Sequence, residues 1–115
     1  MVRATYIPDA ADLVWLDFEP HAGREQAGRR PALILSPASY NERTSLAIAC
    51  PITSHTKGYP FEVVLPPRMP IRGAILTDHL KSIDWRARLA KRAGKAPLDT
   101  LEQVRLRVAL LLGIQ

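Results

Sequence analysis

At 115 residues the chain has room for one folded domain, residues 1–115, with a modest core. Apolar residues make up 47% of it, which excludes a disordered segment, and sixteen Lys and Arg against eleven Asp and Glu leave a net charge of +5. That balance favours polyanionic partners, nucleic acid ahead of acidic proteins, without separating RNA from DNA. Cys50 is the single cysteine, so no internal disulfide can form, and its apolar run Leu46-Ala47-Ile48-Ala49-Cys50 marks it as a small buried hydrophobe. No apolar run has the length of a membrane span or the form of a signal peptide, so the cytoplasm is expected and no membrane partner is.

Residues 1–11 read as a loose lead-in. Two short apolar runs follow, Leu13-Val14-Trp15-Leu16-Asp17-Phe18 and Pro31-Ala32-Leu33-Ile34-Leu35-Ser36, each with the composition of a strand. Pro20, Gly23 and Gly28 between them rule out a two-residue hairpin. Residues 37–43 allow at most two helical turns, and Leu46 to Ile52, apolar on both faces, reads as a central strand. A polar loop from Ser54 to Pro60 leads to a fourth strand, Phe61 to Leu65, with Phe61, Val63 and Leu65 on one face and Glu62 on the other. Pro66, Pro67, Pro70 and Gly73 mark a connection, and Ala74 to Leu80 reads as a fifth strand with Asp78 on the face of Leu76 and His79 opposite. Trp85 and Ala87 fall in an irregular piece, and Leu89 to Arg92 suits an edge strand. Asp99 as N-cap with Glu102 three residues later opens a terminal helix, whose stripe of Leu101, Val104, Val108, Leu111 and Leu112 should pack on the sheet before Gly113 ends it. Five or six short strands with one terminal helix imply a mostly β protein, a small and strongly bent β-barrel.

The long loop between the first two strands draws the chemistry. It sets one carboxylate, Glu25, among Arg24, Arg29 and Arg30, and Pro31 restricts Arg30 to extended backbone. Guanidinium forks beside an acid–base group suit a phosphate, although a solvated loop with incidental charges has the same composition. His21, His55 and His79 are far apart, with no His-x-x-x-His or paired-Cys spacing, so neither a metal nor another cofactor is expected. A phosphate-binding Gly-rich helix start and a nucleophile elbow are both missing. Loop carboxylates, arginines, hydroxyls or histidines must then act on a substrate that brings its own nucleophile, as RNA does through its 2′-hydroxyl.

The succession Pro8-Asp9, Asp12-Leu13-Val14-Trp15-Leu16-Asp17-Phe18-Glu19-Pro20, Glu25-Gln26-Ala27-Gly28-Arg29-Arg30-Pro31-Ala32, Pro51-Ile52-Thr53, Lys57-Gly58-Tyr59-Pro60-Phe61-Glu62 and Asp78-His79-Leu80-Lys81-Ser82 resembles the MazF/PemK (Kid) toxins, and its MazF branch most closely. The resemblance runs from about Tyr6 to Gly113. It implies a small SH3-like β-barrel of the MazF/CcdB toxin type that forms a homodimer. It implies metal-independent, sequence-specific cleavage of single-stranded RNA such as mRNA, to 2′,3′-cyclic phosphate and 5′-hydroxyl ends, and neutralisation by an acidic MazE-like antitoxin. The recognised sequence, ACA in some members, does not follow from the residues.

By position the resemblance puts the family's arginine on Arg30, its hydroxyl on Thr53, its loop carboxylate on Glu25 and a strand aspartate on Asp78. Kid-type members carry a loop histidine where this chain has Arg24 and an arginine where it has Leu76, so their histidine scheme does not transfer directly; His21, three residues upstream and not aligned with that histidine, is the candidate to substitute for it or to position RNA. Chemistry supports Arg30 as the stabiliser of phosphoryl charge and Glu25 as the better base. Thr53 reads either as a donor to the phosphate or as a turn hydroxyl, and Asp78 either as catalytic or as a salt-bridge partner. Arg24, Gln26, Arg29, His55, Lys57, Lys81 and Arg86 are candidates for holding RNA, Tyr59 and Trp85 for stacking on a base, and His79 is expected to be structural. A gyrase-type poison with the same barrel is the alternative, yet such toxins end in Trp-Gly-Ile and this chain reads Leu112-Gly113-Ile114-Gln115. A non-catalytic RNA-binding module is the third reading, opposed by the presence of Glu25, Arg30 and Thr53.

Overall fold

The computed structural model describes residues 5–17 and 28–115. Its strands are β1 (Asp12–Asp17), β2 (Arg29–Ile34), β3 (Leu46–Thr53), β4 (Glu62–Val64), β5 (Ala74–Leu76), β6 (Lys81–Asp84) and β7 (Lys91–Lys95). Helix α1 (Ala38–Thr44) joins β2 to β3, and α2 (Leu98–Leu112) follows β7. All pairings are antiparallel along the path β4-β5-β3-β2-β1-β7. β3 is long enough to share one edge between two short strands. Leu46–Ala49 pair with β6, and Ile52 and Thr53 pair with β5. β4 and β7 end the path without meeting, so the sheet is open and "barrel" describes it only loosely.

The apolar runs are continuous because the central strands are covered on both sides. Leu13, Leu33, Cys50, Ile52, Val63 and Ile75 join Leu101 and Val104 of α2 in one core. Val14, Leu16, Ala32, Ile34, Ala47 and Ala49 join Ile83 and Trp85 in the other. Each large aliphatic side chain withdrawn from water contributes about 1.5–3 kcal/mol before chain entropy is counted.

Five expectations need correction. The lead-in is tied down from Tyr6 onward. The fully buried Asn41 donates from Nδ2 to the carbonyls of Pro8 (2.8 Å) and Ser36 (3.0 Å), and Asp9 Oδ1 accepts the Ala38 amide (2.9 Å) at the start of α1. The fifth strand does not run to Leu80. Thr77 is fully buried and gives both its amide (3.1 Å) and its hydroxyl (2.6 Å) to the Phe61 carbonyl, which turns the chain off the ladder into a 3₁₀ turn, Thr77–His79. β6 then forms where no strand was expected, and the last edge strand begins two residues later than Leu89. The residue that caps α2 is Pro97, extended at ψ 154° and without a side-chain bond, so Asp99 is not the N-cap but lies in the first turn, where its charge meets the helix dipole.

Gly113 ends α2 in the left-handed region at φ 73°, with Ile114 N–H on the Ala109 carbonyl (2.8 Å). Leu101 and Val104 are buried, whereas Leu106, Leu110, Leu111, Leu112 and Ile114 are exposed. The outer half of the expected core stripe is therefore surface in this single chain.

Candidate functional site

A cleft of about 660 Å³ opens where β2, the end of β3 and the connection around β5 meet. Register explains why. Arg30 stands opposite Leu16 and Arg29 opposite Asp17, so both arginines leave the end of β2 that extends past the core. β3 runs antiparallel beside β2 and brings Thr53, Ser54 and His55 to the same opening. The far wall carries Arg72, Leu76, His79 and Lys81. Among the described residues lining the cleft there are four Lys and Arg, two His and no carboxylate. Such a hollow concentrates anions.

Of the site residues expected from sequence, Arg29, Arg30, Thr53, His55 and Lys81 meet here. Arg29 Nη1 is paired with Asp17 Oδ1 at 3.0 Å, and both side chains are partly exposed, so the pair can open to a phosphate at little cost. The Arg30 side chain is exposed and has no hydrogen-bond or ion-pair partner among the described residues. The Thr53 hydroxyl makes the contact of the turn reading. Oγ1 accepts the His55 amide at 3.0 Å, as a strand-end turn requires, and its own proton is left for an acceptor in the cleft. Gly73 backs it. At φ 129°, a side chain there would place Cβ 2.0 Å from the Thr53 carbonyl oxygen, so only glycine lets β5 approach.

Glu25, Arg24, Gln26 and His21 lie outside the described residues. Lys57 is exposed on the loop after β3 and does not line the cleft. Arg86 sits elsewhere. Its guanidinium covers the Trp85 ring at 4.3 Å, Nε donates to Ser45 Oγ at 2.8 Å, and both lie at a separate hollow with Tyr6 and Leu89. Trp85 is buried and donates Nε1–H to the Asn41 carbonyl, which removes it as a stacking platform.

Asp78 is held beside the cleft. One oxygen, Oδ2, accepts the Tyr59 hydroxyl; the other, Oδ1, is buried without a hydrogen bond and has His79 Nε2 at 3.9 Å. The bond to Asp78 raises the pKa of Tyr59, with desolvation adding to it.

Sequence reasoning missed three residues of the cleft. Trp15 faces Pro31 across β1–β2 and shows an edge to the opening, although periodicity puts it in the core, against which it also packs. Arg72 arrives on an irregular connection, and His79 is turned inward by the 3₁₀ turn. Glu62 was legible as off the core face but not as buried. It accepts the amides of Lys57 (3.0 Å) and Gly58 (2.9 Å) and so shapes the loop bearing His55. Arg107 Nε completes the hold on that loop at the Pro60 carbonyl, 2.9 Å away.

The profile of the "PemK-like, MazF-like toxin of type II toxin-antitoxin system" family matches residues 9–112. The endoribonuclease toxin MazF of Escherichia coli K12 is 45% identical over 108 residues, which cover 94% of this chain and 96% of that protein. The endoribonuclease PemK of Escherichia coli is 35% identical over 107 residues, covering 86% and 78%. Among solved structures, a MazE–MazF complex from Deinococcus radiodurans superposes with a TM-score of 0.88 at 50% identity, covering 96% of this chain and all of that one.

Proposed function

Since the chain belongs to the PemK-like, MazF-like toxins of type II toxin–antitoxin systems, we propose that it is an endoribonuclease toxin that cuts single-stranded RNA at the cationic cleft. The observation that carries this reading is the lining itself: Arg30, Thr53 and further cations around a hollow free of carboxylates among its described residues. The 2′-oxygen attacks the adjacent phosphorus, the P–O5′ bond breaks, and a 2′,3′-cyclic phosphate and a 5′-hydroxyl result. Arg30 neutralises charge that builds on the phosphoryl oxygens, where fixed donors are worth most. Thr53 donates its free hydroxyl proton to the same oxygens. Glu25 takes the 2′-hydroxyl proton, which at its reference pKa of about 4.3 requires an upward shift to be efficient near neutrality. Arg29, Arg72, His55 and Lys81 hold neighbouring phosphates, with Lys57, Arg24 and Gln26 extending the path.

No step in this scheme needs a metal. Cleavage should persist in excess chelator and stop when hydrogen replaces the 2′-hydroxyl at the cut site. Activity that vanishes on chelation and returns with magnesium would overturn the scheme.

The related MazE–MazF complexes support an acidic MazE-like antitoxin as partner. A disordered acidic segment with apolar anchors would compete with RNA for the cations and order itself on binding. The exposed leucines of α2 support a homodimer, since an apolar patch of that kind marks an interface. Among the described residues no helix is long and apolar enough to cross a membrane, consistent with action on RNA in the cytoplasm.

A further inference from the structure

We propose that His79 is the general acid of the reaction, protonating the departing 5′-oxygen; this rests on the ribonuclease reading above. Breaking the P–O5′ bond leaves an electron pair on O5′, and an alkoxide is a poor leaving group unless a proton reaches it as the bond lengthens. Arg30 cannot supply that proton, because a guanidinium is not deprotonated at working pH. Imidazole is the side chain suited to the exchange, and two line the cleft, His55 and His79.

Their surroundings differ. Among the described residues His55 Nδ1 has only the Ser54 hydroxyl, at 3.3 Å. His79 stands beside a carboxylate that is itself held in place. Tyr59 fixes Asp78 Oδ2, and Asp78 Oδ1 is buried with no hydrogen bond, with His79 Nε2 beside it at 3.9 Å. A small closure gives that oxygen the donor it lacks and fixes the ring orientation, with Nε2–H on Asp78 and Nδ1 toward the cleft. Catalytic hydrogen bonds of this kind are often long before substrate binds. Asp78 is then a positioning residue, and His79 the group that meets the reacting atom. The groups around the ring are Asp78, with Tyr59 behind it, Arg72 and Lys81 on the same wall, and Arg30 and His55 on the opposite one.

In the step, the 2′-oxygen forms its bond to phosphorus and its proton passes to the general base. The P–O5′ bond breaks, its electrons go to O5′, and Nδ1–H of His79 delivers the proton that makes the 5′-hydroxyl. The neutral imidazole regains a proton from solvent before the next turnover.

The test uses two single-stranded oligonucleotides built around the site that the wild-type protein cuts in mRNA. They differ only in the bridging 5′-oxygen, which one of them replaces with sulfur, a leaving atom that departs without protonation. H79Q should lower kcat on the oxygen substrate by about 10²–10⁴-fold, with KM little changed, and should cut the sulfur substrate at close to the wild-type rate. H55Q should affect both substrates alike. If H79Q keeps wild-type activity on the oxygen substrate, or loses as much on sulfur as on oxygen, His79 is not the acid; rescue of H55Q instead would move the role to His55. A thermal melt of H79Q matching the wild type excludes misfolding as the cause of loss. Failure of the wild-type protein to cut any single-stranded RNA would sink the ribonuclease reading itself, a distinct result.

Discussion

Arg30 leaves β2 one residue before a proline, across from Leu16, and its exposed guanidinium is free of described partners. Losing it should therefore cost activity and not stability. Arg30→Ala is expected to lower turnover by about 10²–10³-fold while the melting temperature stays unchanged. Arg30→Lys should recover only part of it, since a point charge cannot replace the planar fork. Single-turnover rates with both variants decide this, and normal cutting by both would remove Arg30 from the site. Cys50 is the opposite kind of residue. Burial, with the Asp78 charge adding to it, pushes its thiol up to about 12. The unfolded chain ionises near pH 9 and the folded one does not, so the unfolded state binds fewer protons across that window. This contribution to stability is complete below the unfolded pKa and is lost as pH rises toward 12. At pH 9 the native protein should resist alkylation that the unfolded protein undergoes readily, as mass spectrometry would show. Rapid native labelling would mean that Cys50 is accessible.

At the level of elements, β1, β2, β3 and α2 were legible because their apolar residues recur with the period of the element or fill it completely. The Arg30–Thr53 pair was legible through motif resemblance, and β2–β3 pairing explains why the two meet. What was not legible depends on contacts distant in sequence. Nothing local announces that Thr77 will bond to Phe61, yet that bond ends β5, creates β6 and turns His79 into the cleft. The buried role of Glu62 likewise depends on how the loop ahead of it folds back. Helix α2 shows the converse. Its periodicity was right, but periodicity does not say what covers each face, and the Leu106, Leu110 and Leu112 side chains lie open in the single chain. If that face joins two protomers, Leu110→Glu combined with Leu106→Glu should shift the sedimentation coefficient from dimer to monomer at micromolar concentration. A dimer that persists would place the interface elsewhere.

On the scale of the whole molecule, a net charge of +5 and a cleft of cations give an electrostatic attraction for RNA and for an acidic antitoxin alike. Both should associate faster at low salt, and for single-stranded RNA each neutralised phosphate contributes about 0.7 to the slope of log affinity against log salt. Charge alone would serve a passive RNA-binding module equally well. What separates an enzyme from such a module is the reaction that Arg30, Thr53 and the 2′-hydroxyl are proposed to perform, and its products bear a distinctive chemical mark. The most direct measurement is therefore to incubate the purified protein with a single-stranded RNA and determine the mass of both fragment ends. A 2′,3′-cyclic phosphate on one fragment and a 5′-hydroxyl on the other is the expected result. Fragments bearing 5′-phosphate and 3′-hydroxyl ends, or an RNA left intact, would contradict it.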